Sequence, residues 1–145
     1  MKRLILILAA ALGISAAQAQ SLGNFWHGRP VGSLSDITCT SFNPVKNLGA
    51  MGDAGACLGS RGDMEVVRMY RDHGRIARYN IVEVGYNARI DNMQSNIVLA
   101  KLPKLTEWVK RKQQICEYYN QRLAGSIKTP VTLEGNTHSW YVYVL

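Results

Sequence analysis

Residues 41–55 read Ser41-Phe-Asn-Pro-Val-Lys46-Asn-Leu-Gly-Ala-Met-Gly52-Asp-Ala-Gly55, and the reading of this stretch decides the fold. Pro44, Gly49 and Gly52 rule out a helix across it, so residues 43–53 form a structured loop. Before the loop, residues 36–42 (DITCTSF) are β-branched and apolar, the composition of a strand. After it, residues 54–59 (AGACLG) read as a second short buried strand. Lys46 therefore sits on backbone that cannot wander. A lysine amine shielded from water attacks carbonyls to form a Schiff base. Ser41, five residues upstream at the strand end, is a candidate phosphate donor. Pyridoxal phosphate needs both elements, an imine-forming amine and donors for its phosphate. The alternative is a solvated lysine in a surface loop.

Downstream, helices dominate. Gly62-Asp63 opens a segment in which Met64, Val67 and Tyr70 share a face, and His73-Gly74 closes it. Residues 75–86 read as irregular. Residues 90–102 form a second helical stretch, opened by Asp91. Pro103 breaks or kinks it, because proline lacks the amide donor the helix needs. In a third helix Leu105, Trp108, Val109, Lys112, Ile115, Cys116, Tyr119 and Leu123 are spaced for one apolar stripe, with Lys112 its only polar member. Gly125 ends that helix. Residues 140–145 (WYVYVL) read as a strand, and residues 21–36 as loop and turn. Strands early and late with helices between predict an α/β fold.

The chain opens on Lys2-Arg3, an almost unbroken Leu, Ile and Ala run over 4–14, and Ala17-Gln18-Ala19. This is the pattern of a secretory signal peptide cleaved after Ala19. The run is too short for a spanning helix, which takes about 20 apolar residues. The other reading is a buried core helix or strand. The cysteines favour the second: Cys39, Cys57 and Cys116 are odd in number, with no CxxC pair and no metal-ligand spacing.

With 145 residues the chain holds one domain with a real core, and a complete (β/α)₈ barrel of about 250 residues is excluded. Apolar residues make up 47% and charged residues 19%, which argues against disorder. The formal net charge of +7 suits anionic partners. No phosphate loop, deaminase motif or nucleic-acid module is present.

The 41–55 segment strongly resembles the DegT/DnrJ/EryC1/StrS family of pyridoxal-phosphate sugar aminotransferases, around that family's Schiff-base lysine. The resemblance continues through RDHG (71–74), GYNARID (85–91), LAKL (99–102), Trp108, YYNQR (118–122) and HSWYVY (138–143). Upstream it takes in QSLG (20–23) and WHGRPVGSL (26–34). It implies the later part of the large domain of an aspartate-aminotransferase-like fold over 20–103. A linking helix and the start of the small domain follow over 104–145, with residues 1–19 as the leader-like segment.

By the same resemblance, Lys46 matches the lysine that holds the cofactor and shuttles the substrate proton. Ser41 matches the serine that binds the cofactor phosphate, and Gln20 the glutamine beside the pyridine ring. Asn87 resembles the asparagine that reaches the phosphate bound by the partner subunit of a homodimer. The expected substrates are a nucleotide-linked keto sugar and an amino donor, usually glutamate, in the cytoplasm. The family places an aspartate at the position of Ala17, where it holds the pyridine nitrogen protonated; alanine makes the ring a poorer electron sink. The resemblance covers an internal piece of a usual member. Two further readings follow: a remnant or subunit-like chain without catalysis, and an exported chain cleaved after Ala19.

Overall fold

The computed structural model describes residues 16–19 and 21–145. Its central sheet has the order β1-β4-β5, with β1 Ala16–Ala19, β4 Ile37–Ser41 and β5 Gly55–Gly59. Strand β1 runs parallel to β4, setting Ala17 opposite Thr38. Strand β5 runs antiparallel, setting Cys39 opposite Cys57 and Ser41 opposite Gly55. Both strands expected around the lysine loop are present. Thr38 and Thr40 are buried while Ile37, Cys39 and Ser41 are half-buried, the alternation that the period-2 pleat imposes. Ala16–Ala19, three of whose four residues read as a cleavage site, is thus a strand of this sheet; residues 1–15 of the leader-like segment, and Gln20, lie outside the described residues.

Helix α1 (Arg61–Arg71) begins one residue before Gly62, because Ser60 is the cap: its Oγ accepts from the Asp63 N–H at 3.2 Å and donates to Asp63 Oδ2 at 2.6 Å. Helix α2 (Asn92–Lys101) follows Asp91 as expected, and Pro103 sits in a 3₁₀ turn (Leu102–Lys104) that leads into α3 (Leu105–Leu123). Gly125 takes φ +79° just past α3, where Ser126 and Ile127 donate back to the Leu123 carbonyl.

Three expectations need correction. Residues 21–36 are not merely loop. Phe25–Trp26 (β2) and Arg29–Pro30 (β3) form a hairpin whose two-residue turn, His27-Gly28, has positive φ at both positions, the geometry that matches strand twist. Asn136–Thr137 (β8) pairs on the other edge of β2. Residues 75–86 carry a second ribbon, Arg75–Ala77 (β6) with Asn80–Ile81 (β7). Residues 140–145 form no strand. Trp140 takes φ +51°, which breaks the extended path, and the rings that follow diverge, Tyr141 toward Lys46 and Tyr143 onto α3. Tyr143 packs edge-on against Tyr119 and donates its hydroxyl to Asn120 Oδ1 at 2.6 Å.

The core is small and lies under the lysine loop. Leu48, Ala50 and Val98 are buried together, with Leu22, Phe42, Ala54 and Leu105 packed against them. On α3, Val109 and Cys116 are buried while Trp108, Ile115 and Tyr119 remain exposed, so the buried stripe is narrower than the sequence spacing suggests. Among the described residues no helix is long and apolar enough to cross a membrane.

Candidate functional site

The loop between β4 and β5 is built around Asn43. The Lys46 N–H donates to the Asn43 carbonyl at 2.9 Å, closing a turn with Pro44 at its second position, where proline's fixed φ is favourable. Asn43 Oδ1 accepts from the Val45 N–H at 3.2 Å, and its Nδ2 donates across the loop to Asp53 Oδ1 at 2.7 Å. The base of the loop is clamped by Phe42 N–H to Ala54 carbonyl and Ala50 N–H to Phe42 carbonyl, both 2.8 Å. Gly49 lets the far side of the loop approach this turn: a Cβ there would sit 2.5 Å from the Pro44 carbonyl oxygen.

Distant segments then hold the loop in place. Met51 N–H donates to Gln94 Oε1 at 2.8 Å, and Lys101 Nζ donates to the Gly49 carbonyl at 2.7 Å, so α2 grips one side. On the other side Asn47, 6% exposed, receives three contacts. Its N–H donates to Ser21 Oγ at 3.3 Å, its Nδ2 to the Ser139 carbonyl at 2.8 Å, and its Oδ1 accepts from Lys112 Nζ at 2.5 Å.

Lys46 is half-buried, and its Nζ lies 3.5 Å from the centroid of the Tyr141 ring, a cation–π contact. Tyr141 also lines an open pocket of about 300 Å³ with Ser21, Asn24, His138, Ser139 and Trp140. His138 Nδ1 accepts from the Trp140 N–H at 2.9 Å, and burial lowers the imidazole's pKa, favouring its neutral form.

Ser41 ends β4 and is half-buried; its Oγ accepts from the Asn43 N–H at 3.2 Å, a bond that does not use its own O–H. Ser41 and Lys46 thus belong to one rigid strand-to-turn unit. Asn87 is elsewhere. It is exposed and bridges to Asp72 beyond the end of α1, on a segment that lies against residues 70–74 through Tyr86 N–H to Tyr70 carbonyl and His73 N–H to Tyr86 carbonyl. Among the described residues no group of three or more His, Cys, Asp or Glu side chains could hold a metal ion.

Sequence reasoning missed Asn47, Ser139 and Tyr141. Lys112 carried a signal, since one cation in an apolar stripe asks for a buried partner.

The amine of Lys46 and the hydroxyl of Ser41, fixed on one turn, form a donor set that fits the aldehyde and phosphate ends of a pyridoxal-phosphate group. Ala17 lies on β1, at the position where the resemblance implies a carboxylate for the ring nitrogen, and its methyl group cannot serve as one.

Comparison with known proteins bears on the family and the fold. The DegT/DnrJ/EryC1/StrS aminotransferase family model matches residues 8–145, taking in most of the leader-like run. UDP-N-acetyl-3-dehydro-alpha-D-glucosamine 3-aminotransferase of Acidithiobacillus ferrooxidans is 33% identical over 97% of this chain and 39% of its own length. UDP-2-acetamido-2-deoxy-3-oxo-D-glucuronate aminotransferase of Pseudomonas aeruginosa is 35% identical over 92% of the chain and 38% of its own. The chain therefore spans about two-fifths of the length of these relatives. Among solved structures, a DegT DnrJ EryC1 StrS aminotransferase from Brucella abortus superposes with a TM-score of 0.85 at 29% identity, covering 96% of this chain and 38% of that one. S. venezuelae DesV superposes with a TM-score of 0.84 at 32% identity, over 96% and 39%. The fold is the mixed α/β architecture these structures share, and the chain belongs to the DegT/DnrJ/EryC1/StrS aminotransferase family.

Proposed function

We propose that this chain carries the lysine-bearing part of a pyridoxal-phosphate-dependent aminotransferase that places an amino group on a nucleotide-linked keto sugar, with glutamate as the expected donor. The observation that carries this reading is the seating of Lys46: half-buried, against Tyr141, on a loop hydrogen-bonded to residues from four distant parts of the chain. The relatives' names point to nucleotide sugars, and the +7 charge suits a diphosphate.

When bound, the group supplies an electron sink for the substrate carbon. Lys46 would hold it through its amine and then move the proton at that carbon, the work of a positioned general base. Ser41 would donate its O–H to the phosphate, and Gln20 is expected beside the ring. Asn87 would serve a neighbouring subunit. Around it the ribbon exposes Ile76, Tyr79, Ile81 and Val84, apolar surface that a homodimer would cover. In this reading residues 20–103 belong to the large domain, and 104–145 supply the linking helix and the start of the small one. The expected compartment is the cytoplasm, where nucleotide sugars are made.

A second reading, a remnant chain that folds without catalysis, is favoured by Ala17 alone. Incubation with pyridoxal phosphate, borohydride reduction and peptide mapping separate the two. Selective modification of Lys46, lost in Lys46→Arg, supports the enzyme reading. Modification spread over many lysines and unchanged in the variant leaves the remnant reading standing.

A further inference from the structure

Cys39 and Cys57 bracket the segment that holds Ser41 and Lys46, and they face each other directly across β4 and β5. Their sulfurs are 3.5 Å apart and share a hydrogen bond. Directly opposed residues of an antiparallel pair have Cα atoms about 4.5–5.5 Å apart, inside the roughly 4.4–6.8 Å range of disulfides. Closing the bond needs side-chain movement of about 1.5 Å and no change of register. Both residues are half-buried, and β5 is an edge strand, so a small reagent has a route to Cys57. Cys116, the remaining cysteine, is buried on α3.

We propose that Cys39 and Cys57 form a reversible redox site, in which a low-molecular-weight disulfide oxidises the pair to a cross-strand bridge that staples the mouth of the lysine loop. The thiolate of Cys57 attacks one sulfur of the small disulfide; a new S–S bond forms, the old one breaks, and the leaving thiolate takes up a proton. Cys39 then gives up its proton and attacks Cys57 Sγ, expelling the second small thiol. The two cysteines lose two electrons and two protons, and the small disulfide is reduced to two thiols. Cys57 is the attacking partner because the hydrogen bond from Cys39, and then the charge of Arg71 at the end of α1, bring its pKa to about 7 against the opposing effect of burial. The hydrogen bond to Cys57, burial and the charge of Cys57 push Cys39 the other way.

The test uses the whole chain, oxidised glutathione in excess, and peptide mapping without reduction. The expected result is a single cross-linked 39–57 peptide with Cys116 still free, reversed by dithiothreitol. Cys57 should also alkylate about tenfold faster than Cys116 at neutral pH. Cys39→Ser should stop at a mixed disulfide on Cys57, and Cys57→Ser should leave no bridge. The same reaction in urea controls for variants that fail to fold, since there the bridging should spread over all three cysteines. The proposal is overturned if the native chain gives that same spread, if Cys116 is bridged in preference, or if Cys39 and Cys57 both stay reduced.

Discussion

Lys112 and Asn47, 65 residues apart, meet at 2.5 Å, the ammonium of helix α3 donating to the side-chain oxygen of the residue next to Lys46. The other end of the same amide donates to the Ser139 carbonyl, so one side chain ties three segments together. Both ends must be satisfied, because a buried polar group left unpaired costs about 1–3 kcal/mol.

Asn47→Leu should therefore destabilise the chain by about 2–4 kcal/mol, since it strands the Ser139 carbonyl and takes away the partner of Lys112. Asn47→Asp keeps an acceptor for Lys112, now charged, but turns an acceptor oxygen toward the Ser139 carbonyl, so a loss smaller than that of Asn47→Leu is expected only if the Lys112 contact outweighs that repulsion. Urea unfolding monitored by tryptophan fluorescence reads both. Equal losses in the two variants would show that the Lys112 contact does not outweigh the broken bond to Ser139.

Gly49 and Gly125 make a matched pair for a second prediction. A methyl group at Gly49 meets the Pro44 and Asn43 backbone, which cannot yield without opening the lysine turn. At Gly125 it meets nothing within 4 Å, and the strain is only that of φ +79°. Gly125→Ala should cost about 1–2 kcal/mol, the left-handed penalty, and Gly49→Ala about 2–4 kcal/mol. Thermal melts of the two proteins rank them, and Gly49→Ala should also abolish selective modification of Lys46.

Asp72 gives a pH dependence of definite sign. Two hydrogen bonds from Arg75, at 2.8 and 2.9 Å, and the charges of Arg75, Arg89 (3.1 Å) and His73 hold its carboxyl below the ordinary range. A depressed folded pKa means that the stabilisation is complete above the unfolded value of about 3.9 and disappears as the pH falls below it. Between pH 6 and pH 3 the urea midpoint should fall further for the natural chain than for Asp72→Asn, and the gap should shrink in high salt. Parallel declines at low salt would remove Asp72 from the explanation.

The parts of this fold legible in the sequence are those set by local chemistry. The 36–42 and 54–59 strands rest on the composition of a short run, and the Asp91 start, the Pro103 interruption and the Gly125 stop each on one residue's backbone preference. The placement of Ser41 at a strand end and of Lys46 on a fixed turn was legible for the same reason, since proline and glycine flank them. What was not legible depends on contacts across the chain. Tyr141 looks like a strand residue until Trp140 turns the backbone through a left-handed conformation, and nothing local marks Trp140 for that. The hairpin at His27-Gly28 hides in polar composition because its pairing partner, Asn136–Thr137, is more than a hundred residues away. Asn47 reads as one more loop residue, since its partners Ser21, Lys112 and Ser139 lie in three other regions.

The seat of Lys46 also has a timetable. Asn47 and Ser139 are separated by 92 residues, and synthesis at about 5–20 residues per second takes roughly 5–18 s to make the second after the first. The β4–β5 hairpin can close within microseconds of emerging, so through that interval the loop exists without its far wall. Until Tyr141 arrives, the amine is an ordinary solvated lysine on a nascent hairpin. The cation–π contact of Lys46 is a property of a chain that has reached Tyr141, and it is absent while those residues are still being made.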